Sequence, residues 1–260
     1  MKRWGAFFAV VVAWLAMTAA PAFAAPVKIL ADIANSPSGA NYTTGGASAG
    51  CATGALVAIV SANHDAPSAF TDSVGGTWTL AFAVQNYSNI AIYKRMVGSH
   101  PFVVGSTATV TLPFGMYPMV TLIYCVADAT GIPTTVDTVS ANQPGQSPPN
   151  GSDISVLVPG PSAAGSYEFA AFGAYFNTPT IANGASDPSW HALDEIETSG
   201  QEATVAVAYR QATNTSSTTL EGSTGGFSIM ALTWAEIGAS GGGGGPTVAA
   251  PYNQLMMGCC

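Results

Sequence analysis

The sequence predicts an all-β protein, an antiparallel β-sandwich of about twelve strands drawn from two similar halves. Three observations predict it. From Thr77 to Gln85 the large apolar side chains fall at Trp78, Leu80, Phe82 and Val84, the period of two of a half-buried strand. No helical period appears after residue 24, and 29 glycines and 17 prolines recur too often to leave room for a long helix. The strand wording of the first half returns, altered, about a hundred residues later.

The start of the chain is read separately. Residues 1–24 have a basic opening at Lys2 and Arg3, an apolar run from Ala6 to Met17, and Ala22-Phe23-Ala24 as a small-x-small cleavage signal, the pattern of a secretory signal peptide. The apolar run ends at Thr18 and Pro21, short of the roughly 20 residues a spanning helix needs, so no membrane span is expected after cleavage. The mature chain keeps Lys28, Lys94, Arg95 and Arg210 against 14 acidic residues, a formal charge of −10, which excludes nucleic acid and anionic membrane as expected partners. With only 8% charged residues the surface must be solubilised by hydroxyls and amides. Few Lys and Arg also remove the usual guard on edge strands, so edges must be hidden by loops, by closure or by self-association.

In chain order, Val27–Ile33 reads as a short strand and Asn35–Gly54, rich in Ser, Gly and Thr, as loop and edge strand. Ala55–Val60 is continuously apolar and fits a strand buried on both faces. Residues 77–96 make a strand pair broken at Asn86–Asn89, followed by Thr107–Leu112 and Met119–Ala127. A Pro- and Gly-rich connection from Thr130 to Pro149 divides the sandwich domain, 25–238, into halves at about 27–128 and 150–238. The second half offers Asp153–Val158, Tyr167–Tyr175, Ser189–Glu197, Ala203–Arg210, Ser217–Leu220 and Phe227–Ile237. Aligning the halves matches Trp78 with Trp190, Tyr93-Lys94 with Tyr209-Arg210, and Leu112 with Leu220. Residues 239–260 form a Gly-rich tail, expected to be flexible and to act through Cys259 and Cys260 as a tether or an oxidised pair. Cys51 and Cys125 are the other disulfide candidates, with two buried thiols as the alternative.

Asp72-Ser73-Val74-Gly75-Gly76-Thr77-Trp78, Ile92-Tyr93-Lys94 and the Thr107–Leu112 strand resemble a family of exported or surface-displayed bacterial β-sandwich domains, also found among phage-associated proteins. The resemblance covers about 40–237 and is looser in the second half, through Ala203–Arg210 and Phe227–Glu236; that half lacks the Asp-Ser-x-Gly turn. It implies a jelly roll of the concanavalin or laminin-G type, with a tandem immunoglobulin-like pair as the alternative. It implies binding, display or scaffolding rather than a known catalytic site.

Candidate chemistry is sparse. Gly46-Ala47-Ser48-Ala49-Gly50 matches the nucleophile-elbow pattern but lacks the strand before and helix after it. His64-Asp65, His100, and His191 with Asp194 hold residue types that serve as base and orienter, yet nothing in their spacing makes them converge. Asp65, Asp72, Asp128 and Asp187 near strand ends are the residues a calcium ion would use; no other cofactor is expected. Aromatic rings beside polar groups are the usual platform for sugars, and Tyr87, Tyr93, Trp190 and Tyr209, with Arg95 and Arg210, are the ligand-binding candidates. Lys94, Arg95 and Arg210 at matching points of the halves suggest either an acidic-ligand cleft or structural ion pairs.

The expected function is a secreted or cell-surface, non-enzymatic binding protein, with polysaccharide or surface glycan as ligand. The alternatives are a structural subunit of an extracellular filament, surface layer or virion appendage, and a secreted hydrolase.

Overall fold

The structure, a computed structural model, describes residues 25–35, 39–63, 66–84, 88–113, 117–132, 142–143, 152–175, 179–182, 189–200, 202–224 and 229–238. Every regular element among them is a strand, and every strand pair is antiparallel. The first half contains β1 (Val27–Ala34), β2 (Asn41–Thr43), β3 (Ala55–Asn63), β4 (Ala69–Asp72), β5 (Thr79–Val84), β6 (Ser88–Met96), β7 (Ala108–Thr111) and β8 (Met119–Val126). The second contains β9 (Asn142–Gln143), β10 (Ser152–Val158), β11 (Tyr167–Tyr175), β12 (Pro179–Ala182), β13 (His191–Glu197), β14 (Thr204–Gln211), β15 (Thr218–Thr224) and β16 (Ile229–Ile237). The sixteen exceed the expected twelve by β2, β4, β9 and β12, each of four residues or fewer and too short to show a period.

Four sheets result. In the first half a five-stranded sheet, β1-β8-β3-β6-β5, faces a three-stranded sheet, β2-β7-β4. The second half has the same two orders with every strand number raised by eight, β9-β16-β11-β14-β13 and β10-β15-β12. In the nesting of a jelly roll, strand 1 pairs with 8, 2 with 7, and 3 with 6, as seen here; β5, however, pairs with β6 in the larger sheet.

Each half has its own core, and the halves share a third. Ile29, Leu56, Phe70, Phe102, Val110 and Ile123 fill the first sandwich, and Phe172, Trp190, Leu220 and Trp234 the second. The third cluster packs Val57, Ile59, Ile92, Leu122 and Tyr124 of one large sheet against Phe169, Val205, Val207 and Ile237 of the other. The layers therefore run three strands, five, five, three. This explains why Ala55–Val60 lacks alternation: every residue of β3 is buried, one face in its own sandwich and the other in the seam between halves. Polar ties cross the seam as well. The Lys28 ammonium pairs with Asp194, the Tyr124 hydroxyl donates to Asp194 Oδ2, the Tyr167 hydroxyl donates to Asp128, and Ser61 Oγ donates to the Thr204 carbonyl at 2.9 Å.

Register corrects two expectations. Arg95 stands opposite Leu56, and Arg210 opposite Glu168, the second residues of β3 and β11. The matching positions are therefore Arg95 with Arg210 and Lys94 with Tyr209, one residue away from the sequence alignment; in a strand one residue changes the face. Leu80, expected in the core, is 44% exposed, whereas Ala81 is buried in the seam. A bulge between Leu80 and Phe82 breaks the alternation there.

The edges of the two large sheets are guarded by geometry rather than by cations, whereas β10, an edge of the second small sheet, pairs with β15 over Ser152–Val158 without a bulge. Edge strands β1, β5 and β13 each carry a bulge, and β9 has two residues, so each edge of the large sheets is kinked or too short to extend pairing.

Candidate functional site

The Asp72–Trp78 stretch is a structural knot. Asp72, at the end of β4, accepts from the Val74 and Gly76 amides through Oδ1 (3.2 and 3.0 Å). Its Oδ2 accepts from Trp78 Nε1 at 2.8 Å and meets Arg95 Nε at 2.9 Å. Gly75 takes φ = +78°, which the tight turn requires and glycine tolerates. At Gly76 a Cβ would stand 2.4 Å from Arg95 Cζ, so the missing side chain is what lets the guanidinium lie against the turn. Arg95 also sits 5.2 Å from the Trp78 ring centroid and donates to the carbonyls of Met96, Val97 and His100.

The second half solves the same problem with other residues. Arg210 lies over the Trp190 ring at 5.3 Å and pairs with Glu168, and Trp190 Nε1 donates to Thr218 Oγ1 at 3.2 Å. Lacking the Asp-Ser-x-Gly turn, this half takes its carboxylate from β11 itself. Burial pushes the Glu168 pKa up to about 7, with the adjacent Glu236 adding to the rise and Arg210 opposing it.

These contacts correct most of the ligand-binding candidates. Tyr93 (4% exposed), Arg95, Trp190 and Arg210 are buried, so they offer no platform to solvent. Tyr93 stacks on Phe70, its hydroxyl donates to the Pro67 carbonyl, and burial raises its pKa to about 12. The acidic-ligand cleft is overturned too. Lys28 pairs with Asp194, Lys94 donates to the Glu236 carbonyl at 3.0 Å, and both arginines hold buried ion pairs, which leaves none of the four Lys and Arg side chains among the described residues uncommitted. Asp72 and Asp128 are likewise engaged, by Arg95 and Tyr167, rather than poised for calcium. Among the described residues no three His, Cys, Asp or Glu side chains are grouped to hold a metal ion. Ser48 is tied by its amide and hydroxyl to the Ile29 carbonyl and forms no nucleophile elbow. His100 shares a hydrogen bond of 2.9 Å with the Val74 carbonyl. Tyr87, His64, Asp65, Asp187, Cys259 and Cys260 lie outside the described residues, as do residues 1–24 and the tail.

Cys51 and Cys125 form a disulfide, with Cα atoms 5.6 Å apart, that ties the segment before β3 to β8.

Among the described candidates Tyr209 is the one left partly exposed, and it lines a pocket of about 320 Å³. The other walls are Ala25, Tyr167, Ser189, His191, Gln211 and Thr213. His191, exposed on edge strand β13, lies 5.4 Å from the Tyr209 ring, and Phe169 backs that ring at 6.5 Å. Gln211 Nε2 donates to the Gly165 carbonyl, and Tyr167 is set by Asp128 of the other half. The pocket thus combines two aromatic faces with hydroxyls and a carboxamide, at the size of a small-ligand site. Sequence reading passed over Tyr167, Ser189, Gln211 and Thr213 because they share no spacing. Ends of β11, β13 and β14 meet the residues preceding β1 only when the halves pack. No protein-family model, curated protein or solved structure matches the chain.

Proposed function

We propose that this chain is an exported, non-catalytic β-sandwich protein that binds carbohydrate in the pocket of Tyr209 and His191. The observation that carries the reading is the pocket's chemistry. A sugar ring lays its apolar face on an aromatic ring and offers its hydroxyls to side chains such as Ser189, Gln211 and Thr213. Export follows from the signal-peptide pattern and agrees with the disulfide, which oxidising compartments permit. The shared strand order supports descent from a single duplicated sandwich.

The test is a glycan and polysaccharide screen on the mature chain beside Tyr209→Ala and His191→Ala. Retention on a glycan, lost in both variants with folding intact, is the expected result. No retention on any polymer would remove the carbohydrate reading.

A further inference from the structure

The pocket has one wall that is not a side chain of the second sandwich. Ala25 lines it, and Ala25 is the residue that follows the Ala22-Phe23-Ala24 cleavage signal. Cleavage there makes Ala25 the first residue of the mature protein and leaves an α-ammonium on it, cationic at neutral pH. The position of that group is held. Pro26 is buried and restricts Ala25 to extended backbone, β1 begins pairing at Val27 opposite Cys125, and Lys28 is anchored to Asp194 of the other half.

The charge is also singular. Each of the four Lys and Arg side chains of the mature chain is committed to a carboxylate or a carbonyl, so apart from histidine the α-ammonium is the cation available for a ligand among the described residues. In a chain of net −10 it gives one spot where a negative group is welcome.

The geometry points to a processed amino terminus that belongs to the binding site, making the pocket selective for a sugar bearing a carboxylate, a hexuronate. This rests on the carbohydrate reading above and adds the carboxylate and its partner. The ring packs on Tyr209 and His191, its hydroxyls meet Ser189, Gln211 and Thr213, and its carboxylate meets the Ala25 α-ammonium. Removal of the signal peptide then does more than release the protein, because it creates the group that selects the ligand.

Three forms of the secreted protein test this: the mature chain with Ala25 confirmed as its first residue by mass spectrometry, the same chain acetylated at the α-amine, and a chain with Gly-Ser-Gly before Ala25, which moves the ammonium about 10 Å along the backbone. The probes are oligogalacturonate and its methyl ester, which differ in the carboxylate charge. The mature chain is expected to favour the acid by about tenfold, the worth of one charge-assisted hydrogen bond, and both altered chains to lose that preference while still binding the ester. An equal preference in the acetylated protein would overturn the proposal and leave carbohydrate binding standing. A titration with sodium acetate, read by NMR at Ala25 and His191, separates the two readings where neither glycan is retained. A saturable shift lost on acetylation supports the carboxylate site, and no shift overturns it.

Discussion

Cys125 and Glu236 occupy equivalent places in the two halves and perform the same mechanical task by different chemistry. Cys125 stands opposite Leu56 and Glu236 opposite Glu168, the second residues of the central strands β3 and β11. Each ties down the segment that leads into its central strand. Cys125 does so through its disulfide to Cys51, and Glu236 by accepting from the amide and hydroxyl of Ser162, both carboxylate oxygens lying 3.0 Å from the amide nitrogen.

The two ties should differ in strength and in what breaks them. The disulfide closes a loop with a sequence separation of 74, so Cys51→Ala with Cys125→Ala should cost about 4 kcal/mol on the loop-entropy account. Ser162→Ala, which removes one hydrogen bond to a buried carboxylate, should cost about 1.5–3 kcal/mol. Denaturant melts with and without reductant check both, since reductant should weaken the wild type and leave the double variant unchanged.

The knot around Arg95 predicts that its smallest member is indispensable. Asp72→Ala strands a buried guanidinium and should cost about 3–5 kcal/mol. Gly76→Ala should approach the same loss, because its methyl group occupies the space of Arg95 Cζ and displaces the side chain from Asp72. Thermal melts of both variants, with Gly131→Ala as a control for added Cβ without crowding, isolate the clash, since neither glycine has a positive φ.

The tryptophans are equivalent in place but not in burial. Trp190 is 1% exposed, and Trp78 is half-buried at the border of its core. Trp190→Ala should cost about 3–5 kcal/mol, and Trp78→Ala at least about 1 kcal/mol less, by chemical denaturation. Equal losses would mean that the Asp72 hydrogen bond to Trp78 makes up the difference.

Stability should fall as pH rises through neutrality. Burial raises the Glu168 pKa from 4.5 to about 7, so the folded state holds a proton that the unfolded chain releases. A carboxyl raised in this way stabilises the fold fully below about pH 4.5, and the contribution is lost as pH climbs through about 7. The melting temperature of the wild type should decline between pH 5 and pH 7.5, and that of Glu168→Gln should decline less, the variant subtracting the shared titration of histidines.

The seam predicts a single unfolding transition. Ile59, Leu122 and Tyr124 of one half and Phe169, Val207 and Ile237 of the other form one apolar cluster, so neither large sheet keeps a covered outer face once the other unfolds. Calorimetry should show one transition, and Ile59→Ala should lower it as a whole; two transitions would mean that the halves unfold independently.

By itself the sequence determined the fold class, the positions of the longer strands and the likeness of the halves. Alternation, turn residues and the apolar run of β3 are local signals set by backbone geometry. It also marked the motif at Asp72 and the match of Trp78 with Trp190, whereas the arginine over each ring was visible only in the structure. It could not settle register, because a slip of one residue leaves the composition of a strand unchanged and reverses its faces; Tyr93 and Arg95 are buried for reasons no alternation reveals. Nor could it separate a solvent-facing cation from a buried pair, since the buried partners Asp72 and Arg95 are well separated along the chain, as are Glu168 and Arg210. The pocket was decided last of all. Its walls come from the ends of three strands, the residues beside them and Ala25 ahead of β1, and they converge because two apolar sheet faces must leave water together.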